Sequence, residues 1–262
     1  MRTELAVAAL AIGFGGVAHA QVATSDPFEP FNRAMFHFNE KVDEYALKPV
    51  ALGYRAITPH IFRTGVSNVL ANLKAPVIFA NDVFQAAPAR AGTTLARFGI
   101  NSTVGVAGIF DVAKEVGLEK HSEDFGQTLG RWGVGPGPYL VLPLAGPTTI
   151  RDGFGRLVDV GIDPLTYARF DGDDAVRITR TVLGVVSARE AGIEGLNSVY
   201  ETSIDPYVTI RTTYSLLREG AIHNGQTNVK DLPDFDAIPS PTETTPPAEP
   251  PAEAPKSPPK GN

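Results

Sequence analysis

The clearest pattern in the chain is an apolar stripe at helical spacing near its start. Aromatic and aliphatic residues recur there at steps of three and four: Phe28, Phe31, Met35, Phe38, Val42 and Tyr45. That spacing places them on one face of a helix. Asp26 stands at a capping position, with Pro27 suited to the first helical turn and Glu29 at capping-box spacing. Lys48-Pro49 is typical of a helix end.

Helical spacing of apolar residues continues along much of the remaining chain. Residues 50–87 are predicted to form short helical segments separated by Pro59, Pro76 and Pro88. Further helices are predicted over 89–98 and 174–203, and a final helix is capped by Asp205 and ends near Gly220. Strand signals are weak throughout.

The middle of the chain has a different amino-acid composition. Residues 126–153 hold seven glycines and four prolines among large apolar residues. Such a segment forms no long regular helix. A buried loop, a short hairpin and a close backbone approach around a cavity all fit the pattern. The sequence therefore predicts a mostly α domain that leaves room for a short β-hairpin in its Gly/Pro-rich middle.

Both ends of the chain differ from the domain between them. Residues 1–20 combine an uncharged apolar run with the small-x-small pattern Ala18-His19-Ala20, which predicts a cleaved secretory signal peptide. Residues 239–262 are rich in Pro, Glu, Ala, Thr and Lys, which predicts a disordered tail. The folded domain is expected over 21–238.

The composition argues against several kinds of chemistry. A net charge of −6 disfavours a nucleic-acid partner. There are no cysteines, so a thiolate metal site or a cysteine nucleophile is excluded. We find no nucleophile elbow, phosphate-binding loop, dinucleotide fingerprint or His-x-x-x-His pair. We therefore expect no enzyme activity, no catalytic residues, no metal and no cofactor.

Several blocks of sequence resemble the MlaA (VacJ) family. The first runs from Asp26 to Asn39 (DPFEPFNRAMFHFN), followed by Lys48-Pro49-Val50. The others are SNVLANL at 67–73, RFGINSTVG at 97–105 with FDVA at 110–113, DFGQTLG at 124–130 with GVGPGPY at 133–139, Leu142-Pro143, TIRD at 149–152 and Asp205-Pro206-Tyr207. Together they span roughly residues 26–225.

The resemblance implies a fold and a function. It implies a single ring-like helical domain whose amphipathic helices surround a channel, in the inner leaflet of the outer membrane. Such a protein removes mislocalised outer-leaflet phospholipids and passes them to the periplasmic carrier MlaC. The resemblance also implies association with trimeric porins. The family commonly carries a lipidated cysteine that this chain lacks. We expect a protein at the periplasmic face of the outer membrane, held there by its own apolar surface.

Two groups of residues are candidates for this function. We predict lipid or channel contacts for Asn32, Arg33, Asn39, Arg131, Arg151 and Asp152, because amides and guanidinium groups suit phospholipid head groups. The alternative for these six is hydrogen bonding and ion pairing within the protein. We predict a membrane-interface position for Phe28, Phe31, Phe38, Trp132 and Tyr139. The alternative is packing in a core.

Two other functions are compatible with an exported envelope protein. A lipid-modifying hydrolase would need a nucleophile and a base among Ser67, Ser102, Ser122 and the histidines. A structural scaffold that docks on porins would bind its partner and carry no lipid.

Overall fold

The computed structural model describes residues 25–225 of the chain. The predicted signal peptide (1–20) and Pro-rich tail (239–262) lie outside the described residues. Within them the fold is mostly helical, as predicted, with one small antiparallel hairpin. The predicted arrangement of the helices as a ring around a channel stays a prediction.

The helices follow one another with short connections. Their bounds are α1 (Glu29–Val42), a π-helical segment (Asp43–Leu47), α2 (Lys48–Ile57), α3 (His60–Phe84), α4 (Pro88–Thr103), α5 (Val112–Glu115), α6 (Phe125–Arg131), α7 (Ile150–Ile162), α8 (Pro164–Tyr167), α9 (Asp173–Ala191), α10 (Ile193–Thr202) and α11 (Pro206–Ile222). The strands β1 (Tyr139–Leu142) and β2 (Gly146–Thr149) pair between α6 and α7.

The first helix departs from its prediction at both ends. The Asp26 side chain does not cap it. The helix begins at Glu29 without a side-chain cap, and the Asp26 carboxylate instead accepts hydrogen bonds from Asn32 and Arg211. Nor does the helix stop at Lys48-Pro49, because the π-helical turn precedes the proline and the chain continues directly into α2. A widened turn of this kind accommodates a proline, which cannot donate to the preceding turn.

The prediction divided one further helix wrongly and missed another. Pro76 lies inside α3, which runs unbroken for 25 residues. Helix α7 was not predicted, because Gly153, Gly155 and Gly161 made this stretch resemble the irregular middle. Tertiary packing has overridden the low helix propensity of glycine here.

The final helix and the hairpin agree with the sequence analysis. The Asp205 side chain accepts a hydrogen bond from the Val208 backbone and caps α11 as expected. The hairpin occupies the Gly/Pro-rich middle. It contributes Tyr139 and Val141 to a small apolar cluster with Phe36 and Tyr207.

Candidate functional site

The buried interior of the domain is largely polar. Asn81 and Asp82 of α3 and Thr128 of α6 are fully buried, and Glu123 is only 4 % exposed. Buried polar groups are costly unless they are hydrogen-bonded. The interior must therefore be held together by polar networks.

One such network joins α3, α6 and α7. The Gln85 amide donates to Glu123 at 2.8 Å and to Thr128 at 3.1 Å. The Thr128 hydroxyl donates to the Asn81 amide oxygen at 2.8 Å. The Asn81 amide nitrogen then donates to Asp159 at 2.9 Å. The chain of bonds links α3 to α6 and α7 and ends on a carboxylate.

A second network joins α6, α7 and α11 around Arg218. Its guanidinium donates to Asp124 at 2.6 Å and to Asp152 at 3.0 Å. The Tyr214 hydroxyl donates to Asp152 at 2.6 Å. Burial alone would raise the pKa of Asp124, but the hydrogen bonds and charge of Arg218 outweigh it and lower the pKa to about 2.

The two networks border a cavity with a volume of about 650 Å³. Its walls come from α3, α7, α8, α9 and α11 and from the start of α6. Ten of the nineteen lining residues are charged: Lys74, Glu123, Asp124, Asp152, Arg156, Asp159, Asp163, Arg177, Arg180 and Arg218. Apolar side chains such as Val160 and Val185 complete it. The volume lies within the range of about 300–1,000 Å³ typical of ligand pockets.

Helix α7 separates this cavity from an apolar exterior. Asp152, Arg156 and Asp159 of this helix, and Asp163 directly after it, recur at helical spacing along the cavity wall. Phe154 and Leu157 are 55 % and 71 % exposed. A single helix therefore presents charges to the cavity and large apolar groups to the surroundings.

Exposed apolar side chains are found along most of the chain. Besides α7, they include Leu52, Ile57, Ile61, Phe62, Leu95, Val104, Phe110, Ile178, Val182 and Leu217. Contiguous exposed apolar surface marks a protein or membrane interaction site. The described residues thus bury many polar groups and expose many large apolar side chains, which is unusual for a protein surrounded by water.

The residues predicted at the membrane interface divide into two classes. Phe28, Phe31, Phe38 and Trp132 are between 47 % and 55 % exposed, so they are accessible to a membrane. The assignment is wrong for Tyr139, which is fully buried. Tyr139 is instead packed in the core, because β1 folds back onto α1 and α11. The Tyr139 ring packs against Tyr207 and Tyr214.

The two asparagines of α1 hold the hairpin in place. The Asn32 amide donates to the Tyr139 carbonyl at 3.0 Å and accepts from the Val141 backbone at 2.9 Å. Asn39 makes the equivalent pair with the carbonyl of Leu142 and the backbone N–H of Leu144. Asn32 is fully buried, which corrects the prediction that it contacts lipid. The lipid contact predicted for Asn39 stays a prediction, although its amide is used in the same way.

The four charged candidates occupy different environments. Arg33 is half-buried and pairs with Glu29 and with Asp205 at 2.8 Å each. Arg151 is 7 % exposed and pairs with Asp152 at 2.9 Å, as in the alternative considered above, and the head-group contact predicted for it stays a prediction. Asp152 lines the cavity, and Arg131 is exposed. Their roles in lipid binding stay predictions.

Sequence reasoning missed most of the charged residues of the cavity. Lys74, Arg156, Asp159 and Arg177 were not singled out. The sequence did contain a pattern that predicts a charged helix face here, because Asp152, Arg156, Asp159 and Asp163 follow one another at steps of three and four. The intervening glycines concealed it.

Among residues 25–225, no helix combines the length and the apolar character needed to cross a membrane. The same residues contain no cluster of His, Asp and Glu side chains suited to a metal ion.

Comparisons with known proteins agree with the resemblance noted above. The profile of a family described as "MlaA lipoprotein" matches residues 24–220. The chain is 32 % identical over 235 residues to the "Intermembrane phospholipid transport system lipoprotein MlaA" of Escherichia coli (strain K12), with 87 % of this chain and 91 % of that protein covered. The protein of the same name in Haemophilus influenzae is 32 % identical over 249 residues, covering 89 % and 97 %.

A solved structure reported as "Structural basis for maintenance of bacterial outer membrane lipid asymmetry" is similar in fold. The TM-score is 0.67 at 34 % identity, and the match covers 76 % of this chain and 99 % of that one.

Proposed function

This chain belongs to the MlaA lipoprotein family, and on that premise we propose that it moves phospholipid between membranes at the outer membrane of a bacterial envelope. The relatives named for intermembrane phospholipid transport support the proposal, as does the similar structure reported for outer-membrane lipid asymmetry. The finer expectation is removal of mislocalised phospholipid from the outer leaflet through an amphipathic passage, without catalysis.

The observation that carries the proposal is a charged cavity enclosed by helices with apolar outer faces. A phospholipid has the matching division, since its head group is charged and its acyl chains are not. The cavity can receive the head group while exposed residues such as Phe154 and Leu157 contact the chains. No bond in the lipid has to be broken for this exchange.

The exposed apolar residues also support residence in a lipid leaflet. Burial of ten such side chains at about 2 kcal/mol each gives roughly 20 kcal/mol before ordering costs. That exceeds the roughly 10 kcal/mol gross of one acyl chain at about 0.8 kcal/mol per CH₂. We therefore propose that the protein lies in the inner leaflet of the outer membrane, with aromatic residues such as Phe31 and Trp132 at the interface.

The proposed partners follow from the family. They are phospholipid itself, a trimeric porin beside the protein in the membrane, and the periplasmic carrier MlaC, which would take the lipid onward. Purification of the chain from cross-linked envelopes, with and without each partner's gene, tests both protein partners.

A cavity-filling substitution tests the function directly. Gly184 of α9 lines the cavity, and a Cβ placed on it meets no atom within 4 Å. In Gly184→Trp the indole should occupy the space without disturbing the backbone. In cells that lack their own relative, the wild-type chain should keep outer-leaflet phospholipid low, as measured by its accessibility to added phospholipase.

We expect Gly184→Trp to lose this activity while reaching the membrane at the wild-type level. Gly195→Trp on α10 is the matched control, since its Cβ is equally free and the residue does not line the cavity. Full activity of Gly184→Trp, or no effect of the wild-type chain itself, would contradict the proposal.

A further inference from the structure

The cavity contains three charged groups that the fold leaves without a partner of opposite charge. We propose that these groups, Lys74, Arg156 and Asp159, select phospholipids whose head group carries both a phosphate and a primary ammonium, as phosphatidylethanolamine does. The phosphate would lie between Lys74 and Arg156, and the ammonium at Asp159. This inference rests on the proposed function and names the class of lipid that the same site takes.

The pairing of the other cavity charges is complete. Arg218 pairs with Asp124 and Asp152, Arg180 with Asp163, Arg177 with Asp173 and Asp174, and Glu123 with Arg90. Among the described residues, Lys74, Arg156 and Asp159 have no ion pair within 4 Å. Two cations and one anion therefore lack an ion partner, although Arg156 donates a hydrogen bond to the neutral Pro147 carbonyl at 3.2 Å.

The fold brings these three groups to one part of the cavity. Arg156 and Asp159 are three residues apart on α7 and lie on the same helix face. The Asn81 amide ties Asp159 to α3, where Lys74 lies two turns earlier on the same face. Burial raises the pKa of Asp159, and the charge of Lys74 opposes part of that rise, so Lys74 is near enough to act on the carboxyl. Lys74 of α3 and Arg156 of α7 thus line the same cavity as Asp159.

The Asp159 carboxylate is prepared for a cation. It accepts hydrogen bonds from neutral groups, the Asn81 amide at 2.9 Å and the Phe125 backbone N–H at 3.1 Å. A carboxylate has about four acceptor positions, so capacity remains for another donor. Burial raises the pKa of Asp159 despite these bonds, as expected for a carboxylate with too little positive charge nearby.

The charges of the lipid match those of the site. A phosphodiester carries one negative charge, which a lysine and an arginine bind by charge-assisted hydrogen bonds. The ethanolamine ammonium carries one positive charge and three N–H donors, as a lysine does. Phosphatidylglycerol has the same phosphate but a neutral head, and it would leave Asp159 without a cation. The site should therefore favour the zwitterionic lipid.

Competition between the two lipids tests the inference. The full chain is purified in mild detergent and equilibrated with vesicles that hold phosphatidylethanolamine and phosphatidylglycerol in equal amounts and with identical acyl chains. The bound lipids are then quantified by mass spectrometry. We expect the wild-type chain to enrich phosphatidylethanolamine by about five- to tenfold, the effect of one partly exposed charge-assisted contact.

Substitutions separate the two halves of the site. Asp159→Asn should bring the ratio of bound lipids close to that offered, and Asp159→Glu should restore the enrichment. Lys74→Gln combined with Arg156→Gln should lower the binding of both lipids together. Asp171→Asn and Lys114→Gln are controls, since both residues are exposed and outside the cavity.

The wild-type measurement decides the question even if Asp159→Asn does not fold. Binding of both lipids in the offered ratio would overturn the inference and leave the proposed function standing. An unchanged enrichment in folded Asp159→Asn would also overturn it. Binding of neither lipid would instead contradict the proposed function.

Discussion

Helices α6 and α7 approach each other closely at Gly126 of α6 and Gly155 of α7. A Cβ added to Gly155 would lie 2.3 Å from the backbone nitrogen and 2.6 Å from the Cα of Gly126. Both are backbone atoms and cannot rotate away, so Gly155→Ala must push α7 from α6. The same helices are joined by the hydrogen bond from the Phe125 N–H to Asp159, which would lengthen.

The size of the effect follows from opposing contributions. Overpacking of a tight contact costs about 1–3 kcal/mol. Alanine in a helix interior recovers about 0.5–1 kcal/mol relative to glycine. Weakening of the Asp159 bond costs about 1 kcal/mol. Gly155→Ala should therefore destabilise the domain by about 1–3 kcal/mol. A domain of this size loses about 2–4 °C in Tm per kcal/mol, so the expected decrease is about 2–12 °C.

Gly161 provides the control on the same helix. A Cβ placed there meets no atom within 4 Å. Gly161→Ala should gain the helix propensity alone and raise Tm by about 1–4 °C. Thermal unfolding of both variants, followed by circular dichroism in the same detergent, gives the comparison. If Gly155→Ala melts at or above the wild-type temperature, the two helices are not in the contact on which the cavity wall depends.

Three further predictions concern the charges inside the domain and the apolar groups outside it. Because Arg218 lowers the pKa of Asp124 to about 2, the stability from this pair is fully present above the ordinary pKa of 3.8 and is lost as the pH falls from about 4 to about 2. Unfolding by urea between these pH values should show the decrease. Arg218→Met should be less stable by about 3–5 kcal/mol at pH 7, because it leaves Asp124 and Asp152 without that cation; equal stability would contradict the pairing. Leu157→Lys changes a side chain that is 71 % exposed, so it should keep the wild-type melting temperature in detergent. It should nevertheless weaken binding to vesicles by about 2–4 kcal/mol if that residue reaches hydrocarbon, as measured by flotation.

The sequence predicts this fold best where local signals and tertiary packing agree. The aromatic periodicity of α1 and the Asp205 cap of α11 depend on neighbouring residues, and the sequence analysis identified both helices. At Pro49 and Pro76 the local rule was misleading. A π-helical turn accommodates the first, and the second lies within a long helix whose packing holds it. Propensity is a weak prior that tertiary contacts override.

The candidate site was less accessible to sequence reasoning for a different reason. Arg151 and Asp152 were predicted to contact lipid, yet both are buried and pair with each other. Lys74 and Asp159 are 85 positions apart in the chain, and only the docking of α7 on α3 brings them to one cavity. The sequence pattern of α3 or α7 alone does not predict which charged residues form ion pairs between the two helices.

Because many apolar side chains lie outside the domain, its polar interior must supply more of the contacts that hold the helices together. A domain whose large apolar side chains lie outside loses much of the hydrophobic contribution that stabilises a protein in water. Its helices must therefore be held together by the specific pairing of groups such as Asn81, Asp82, Asp124 and Arg218. These networks are worth most where water is scarce, since a low dielectric strengthens each bond. Most charged side chains around the cavity take part in this pairing. The few charged side chains without an ion partner are those that can act on a ligand. Stability in a lipid environment and selectivity for a lipid head group thus depend on the same internal distribution of charge.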